Sequence, residues 1–219
     1  MDQELRPSEL PLRQARQFSL RELLVLTFAA SLLLAIGVLS RGSKRFGALS
    51  SPWALAALSP IVAVLVVGRF QLASSRVLAV GSIVIYAASL CTPAIGLDFG
   101  SSPIWGFQAL HFSMVVFPDL VSDFLESAGN ALGVVVYGIG NVANIAFVAS
   151  VILFFVGIKK PGAFTFSRRA ALLGAVMAIA VLTAFLLEGD IKVIYPGYGL
   201  WIASFLAMAL AAKRARSPF

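Results

Sequence analysis

A bundle of membrane-spanning α-helices is the fold class this sequence predicts, and three observations carry the prediction. Of the 219 residues, 59% are apolar and only 12% are charged, against roughly a quarter charged in an average soluble domain. The mean hydropathy is +0.93. Several runs of about 18 or more residues carry no ionisable group, the length needed to cross a hydrocarbon core about 30 Å thick. A soluble fold of this size has too little interior to hide that much apolar surface.

Taken in order, residues 1–22 are polar, mixed in charge and hold two prolines, and read as a tail closing in a short interfacial helix. The run 23–40 is too long for a signal-peptide core and lacks a small-residue cleavage site behind it, so it reads as an uncleaved first span. Residues 53–68 and 77–97 give the second and third spans, the latter with Thr92-Pro93 near its end. Residues 98–130 form a long insertion. Within it, 104–117 is mostly apolar but too short to cross, which predicts an outer-face interfacial or re-entrant helix with Trp105 at headgroup level. Pro118 then predicts a fresh helix start. Spans over 131–158, 170–187 and 193–212 complete a set of six, and 213–219 is a second tail.

Basic residues set the orientation. With the amino terminus in the cytoplasm, the inner side receives Arg6, Arg13, Arg16 and Arg21, then Arg69 and Arg76, then Lys159, Lys160, Arg168 and Arg169, and finally Lys213, Arg214 and Arg216. The outer side receives only Arg41, Lys44, Arg45 and Lys192. That bias is the positive-inside rule. It places both termini in the cytoplasm, and a crossing by 104–117 would reverse it. The same distribution argues against nucleic acid as a partner, despite a net charge of +7, because the cations flank apolar runs instead of forming a stripe with exposed aromatics.

Chemistry-bearing residues are few. No Asp, Glu, Lys, Arg or His falls inside the six expected spans, which disfavours a proton-coupled pump. The single cysteine, Cys91, precludes an internal disulfide, and no Cys/His set suits zinc or an iron–sulfur cluster. The single histidine rules against a bis-His haem, and no cofactor is implied. Asn141 and Asn144 lie three apart on one face of the fourth span and must find hydrogen-bond partners in lipid. Gly138 and Gly140 beside them, with Ala146 and Ser150, predict a small-residue seam. Helix packing is the simpler role, and a polar site for a neutral solute or lipid headgroup the sharper one. On the outer side, His111, Asp119, Asp123 and Glu126 supply ligand and acid/base types, although acids after Pro118 also suit an ordinary helix start. Tyr195, Tyr198 and Trp201 surround Pro196 at the start of the last span and read as an aromatic rim at the headgroup level.

Three segments, Trp105-Gly106-Phe107-Gln108-Ala109-Leu110, Asn141-Val142-Ala143-Asn144-Ile145 and Gly197-Tyr198-Gly199-Leu200-Trp201-Ile202-Ala203-Ser204, resemble those of small bacterial multi-pass membrane proteins with no assigned activity. The likeness covers the second half of the chain. Where those proteins have Ala-Asn-Pro, this one has Ala143-Asn144-Ile145, so a proline kink is lacking. The resemblance implies a bacterial plasma membrane location and transfers no catalytic residue. Three functions are expected in descending order: a non-catalytic accessory or scaffold subunit that packs with other membrane subunits or with itself; a facilitative carrier or binding protein for a neutral solute or lipid; and an outer-face enzyme.

Overall fold

The computed structural model describes residues 52–97, 102–127, 131–188 and 191–216. The chain divides into two compact units, Met1–Ile36 and Gly37–Phe219. The first unit, with the expected tail and most of the first span, lies outside the described residues, as does the basic loop at 41–45.

Six helices are described: α1 (Pro52–Arg69), α2 (Ser75–Leu90), α3 (Gly106–Ser127), α4 (Ala131–Lys159), α5 (Ala163–Glu188) and α6 (Pro196–Arg216). Three of them are long and apolar enough to cross a membrane: α1, α4 over Gly138–Lys159 and α5 over Ala163–Leu186. The centre of the bundle is α6, which packs against α1, α2 and α5. Its Ala203, Phe205, Met208 and Ala211 are completely buried. Close approach explains its small residues. A Cβ at position 199 would overlap the Ala57 carbonyl of α1, and one at Gly174 of α5 would overlap the Phe205 ring. The outward faces carry the bulky residues instead: Leu55, Val62 and Leu65 of α1, Ile145, Val148 and Ile152 of α4, and Leu172, Val176 and Ile179 of α5 are all exposed. A core of small residues wrapped in exposed Val, Ile and Leu is the packing expected of helices in lipid.

The all-helical expectation needs one correction. Pro93–Leu97 (β1), Ile104–Trp105 (β2) and Ile191–Ile194 (β3) form an antiparallel sheet ordered β2-β1-β3, pairing Ile95 with both Ile104 and Ile194. The expected third span therefore stays helical only to Leu90, and the expected sixth begins as a strand. Pro93 has no N–H to continue α2 and disfavours helix at the preceding residue. The Thr92 hydroxyl ends the helix by donating to the carbonyls of Ala88 (3.0 Å) and Ser89 (3.3 Å). The sheet lies at one end of the bundle, where β2 leads into α3 and β3 into α6.

The insertion also differs from expectation. Helix α3 begins at Gly106, where the Gln108 side chain accepts from the Trp105 backbone N–H (2.9 Å), the returning half of a capping box. It then continues through Pro118 to Ser127 without the break predicted there. Similarly, Arg168 and Arg169 lie within α5, which starts seven residues before the expected fifth span.

Candidate functional site

Of the polar pair of α4, Asn144 joins the helices. Asn144 Oδ1 accepts from Tyr86 Oη of α2 and from Trp201 Nε1 of α6, each at 3.0 Å. One amide thus ties three helices together. Its surroundings are aromatic: Tyr86 stacks on Phe147 with ring centroids 4.2 Å apart, Phe147 meets Phe205 edge-on at 5.3 Å, and Trp201 contacts both Phe205 and Tyr198. Such a site strengthens the hydrogen bonds, since few competing donors reach it. Asn141 lies half-buried one turn earlier on the same helix.

Of the residues expected to form a small-residue seam, Ala146 and Ser150 are buried. A Cβ at Gly140 would meet nothing within 4 Å, and Gly138 is half-buried. Close packing occurs further along, where Ala143, Phe147, Ser150 and Phe154 of α4 are buried alongside Ser167, Ala171, Ala175 and Ala178 of α5. The Ser167 hydroxyl donates across this seam to the Ser150 carbonyl at 2.7 Å. Only three residues, Lys160 to Gly162, connect α4 to α5, so the two helices are antiparallel neighbours along this seam.

The aromatic rim is also corrected. Tyr198 is buried, and its hydroxyl donates to the Ala178 carbonyl of α5 at 2.5 Å. Trp201 is half-buried and directs its N–H to Asn144. Both belong to the core because α6 is enclosed by its neighbours, which hydropathy read along one chain does not reveal. Tyr195 alone stays beside the sheet, half-buried and in contact with the exposed Trp53 at 5.4 Å. Trp105 is exposed at the start of α3.

His111 and Asp119 are exposed on α3. Eight residues of helix separate them by about 12 Å, too far to share one reacting atom. Among the described residues no group of three His, Cys, Asp or Glu could hold a metal. The side chains of Asp123 and Glu126 lie outside the described part.

Sequence reasoning missed Arg214, read only as an orientation signal. Its guanidinium donates to the carbonyls of Val67 (3.0 Å) and Gly68 (2.8 Å) at the end of α1, and to that of Ala73 in the following turn. Carbonyls in the last turn of a helix lack intrahelical partners and are partially negative, which suits a guanidinium donor. The turn itself has Gln71 at φ 54°, with Leu72 N–H donating to Val67 O, the arrangement of a Schellman cap that normally uses glycine. Burial draws the Arg214 guanidinium below its usual pKa, without consequence near neutrality because arginine starts so far above it.

These features define a mostly helical protein with exposed aliphatic side chains on its apolar helices and Asn144 hydrogen-bonded between them. No protein family, curated protein or solved structure matches the chain.

Proposed function

We propose that this chain is a six-span protein of a bacterial plasma membrane, with both termini cytoplasmic, and that it acts as a non-catalytic accessory or scaffold subunit of a membrane assembly. The observation that carries the reading is the use of Asn144. The polar group best placed to meet a solute within the bundle spends its acceptor on Tyr86 and Trp201, which favours a rigid module over a moving carrier. The outward apolar faces of α1, α4 and α5 supply surface for lipid and for neighbouring helices. The described cations support the orientation: Arg69, Arg76, Lys159, Lys160, Arg168, Arg169, Lys213, Arg214 and Arg216 fall at helix ends away from the sheet, and Lys192 lies within it.

Particle mass and composition after extraction in mild detergent, at native expression level, test the reading. A stoichiometric second protein is expected. A lone monomer or a homo-oligomer would overturn the subunit role and return attention to neutral solutes. A matching variant, Asn144→Ala, should loosen the fold without abolishing any transport.

A further inference from the structure

At the end opposite the sheet, the start of α5 and the end of α6 enclose a cavity of about 550 Å³, within the range of about 300–1,000 Å³ usual for ligand sites. Four of its lining side chains are cations: Arg168 and Arg169 of α5, and Lys213 and Arg216 of α6. Among the described residues no carboxylate lines it. Like charges gathered in one cleft repel one another unless an anion joins them. The first N–H groups of α5 do not supply an anion site, since Ala163, Phe164 and Thr165 already donate to the carbonyls of Lys160, Pro161 and Gly162. Whatever anion enters must therefore be held by the side chains, where guanidinium groups offer paired donors matched to phosphate oxygens.

The cleft is not closed on its apolar side. Thr165, Arg168, Arg169 and Leu172 occupy one face of α5 at helical spacing, and the exposed Val176 and Ile179 continue the line from Leu172 away from the cations. A phosphate site that runs into an exposed aliphatic track has the polarity profile of an amphiphile. We propose that this cleft binds the phosphate of an anionic glycerophospholipid, with an acyl chain lying along Leu172, Val176 and Ile179. Basic pockets between spanning helices on the cytoplasmic side are suited to such headgroups. The inference shares only the membrane setting with the scaffold reading. Lipid selectivity and particle composition are separate measurements, so either idea can fail alone.

The test uses the full chain reconstituted in phosphatidylcholine bilayers, with spin-labelled phosphatidylglycerol as the probe and the protein-restricted fraction as the readout. Wild type should prefer the anionic lipid by roughly tenfold. Arg168→Gln with Arg169→Gln should lower that to about threefold, and adding Lys213→Gln and Arg216→Gln should bring it below about twofold. All four side chains are exposed, and the helical circular dichroism of each variant should match that of wild type. The control, Arg76→Gln with Lys160→Gln, removes two cations from the same end but outside the cleft, and should leave the preference within about twofold of wild type. Equal losses in control and cleft variants, or an unchanged preference in the quadruple variant, would overturn the site. Displacement of the probe by inorganic phosphate would overturn the lipid as its occupant.

Discussion

At Asn144 a single carbonyl oxygen serves two donors from two other helices, so its removal is felt in three elements at once. Asn144→Leu would leave the Tyr86 hydroxyl and the Trp201 indole N–H without that acceptor in an apolar site. Hydrogen bonds between membrane helices average about 0.6 kcal/mol and reach about 1.7, and stranded buried donors cost about 1–3 kcal/mol. A loss of about 1–3 kcal/mol is expected in mixed-micelle unfolding. Tyr86→Phe alone should cost less than about 1 kcal/mol, and close to nothing in the Asn144→Leu background, because the donor it deletes is already stranded. Additive losses in that double-mutant cycle would show the hydrogen bond to be energetically idle. The need for a partner was legible in the sequence, since an amide in an apolar run must be satisfied. The partners were not. Tyr86 and Trp201 lie 58 and 57 residues away, and Trp201 beside two tyrosines and a proline looks like a headgroup anchor until α6 is known to be central.

Three prolines show why helix boundaries were only partly legible. Pro60, Pro93 and Pro118 each remove one donor from an apolar run, yet Pro60 and Pro118 remain inside helices whereas Pro93 opens a strand. Chain-local rules treat all three alike, at about 3 kcal/mol in a helix interior. What differs is the reward for leaving the helix: residues after Pro93 gain a strand partner on each side, β2 and β3. At Pro60 the helix is repaired locally. The missing N–H would have reached the Ala56 carbonyl, and the Ser59 hydroxyl donates to that carbonyl instead, at 2.8 Å. Ser59→Ala should therefore cost about 1 kcal/mol of stability, and the cost should vanish in a Pro60→Ala background, where residue 60 regains its N–H. Thermal unfolding of the four variants in one detergent checks this. An equal loss in both backgrounds would mean that Ser59 acts through packing and not through the orphaned carbonyl. The strands themselves were hidden for a related reason, as two to five mostly apolar residues beside a span look like more of the span.

Across the whole molecule, the two ends differ in chemistry. One end closes with a three-stranded sheet, and the other collects cations at the ends of α1, α4 and α6 and the starts of α2 and α5. The Arg214 bonds to Val67, Gly68 and Ala73 fix α6 to the α1–α2 turn, while Tyr195 N–H to Ala94 O fixes the other end of α6 to β1. The 21 residues of α6 rise by about 31 Å, close to the hydrocarbon thickness of about 30 Å. The separation of the ends thus matches a bilayer even though α6, shielded by its neighbours and rich in alanine and glycine, is not one of the strongly apolar helices. Orientation can be read without disturbing the chain, because Cys91 is its only cysteine, is exposed, and sits just before β1. With the cationic end in the cytoplasm, an impermeant maleimide should label Cys91 in right-side-out vesicles and not in inside-out ones. In a Cys91→Ser background, Lys160→Cys should show the opposite pattern and Lys192→Cys, exposed in β3, the same pattern as Cys91. Reversal of all three would invert the orientation while keeping the two-ended arrangement. Labelling of Lys160→Cys and Lys192→Cys from the same side would break the arrangement itself, since α6 would then no longer separate two sides of the membrane.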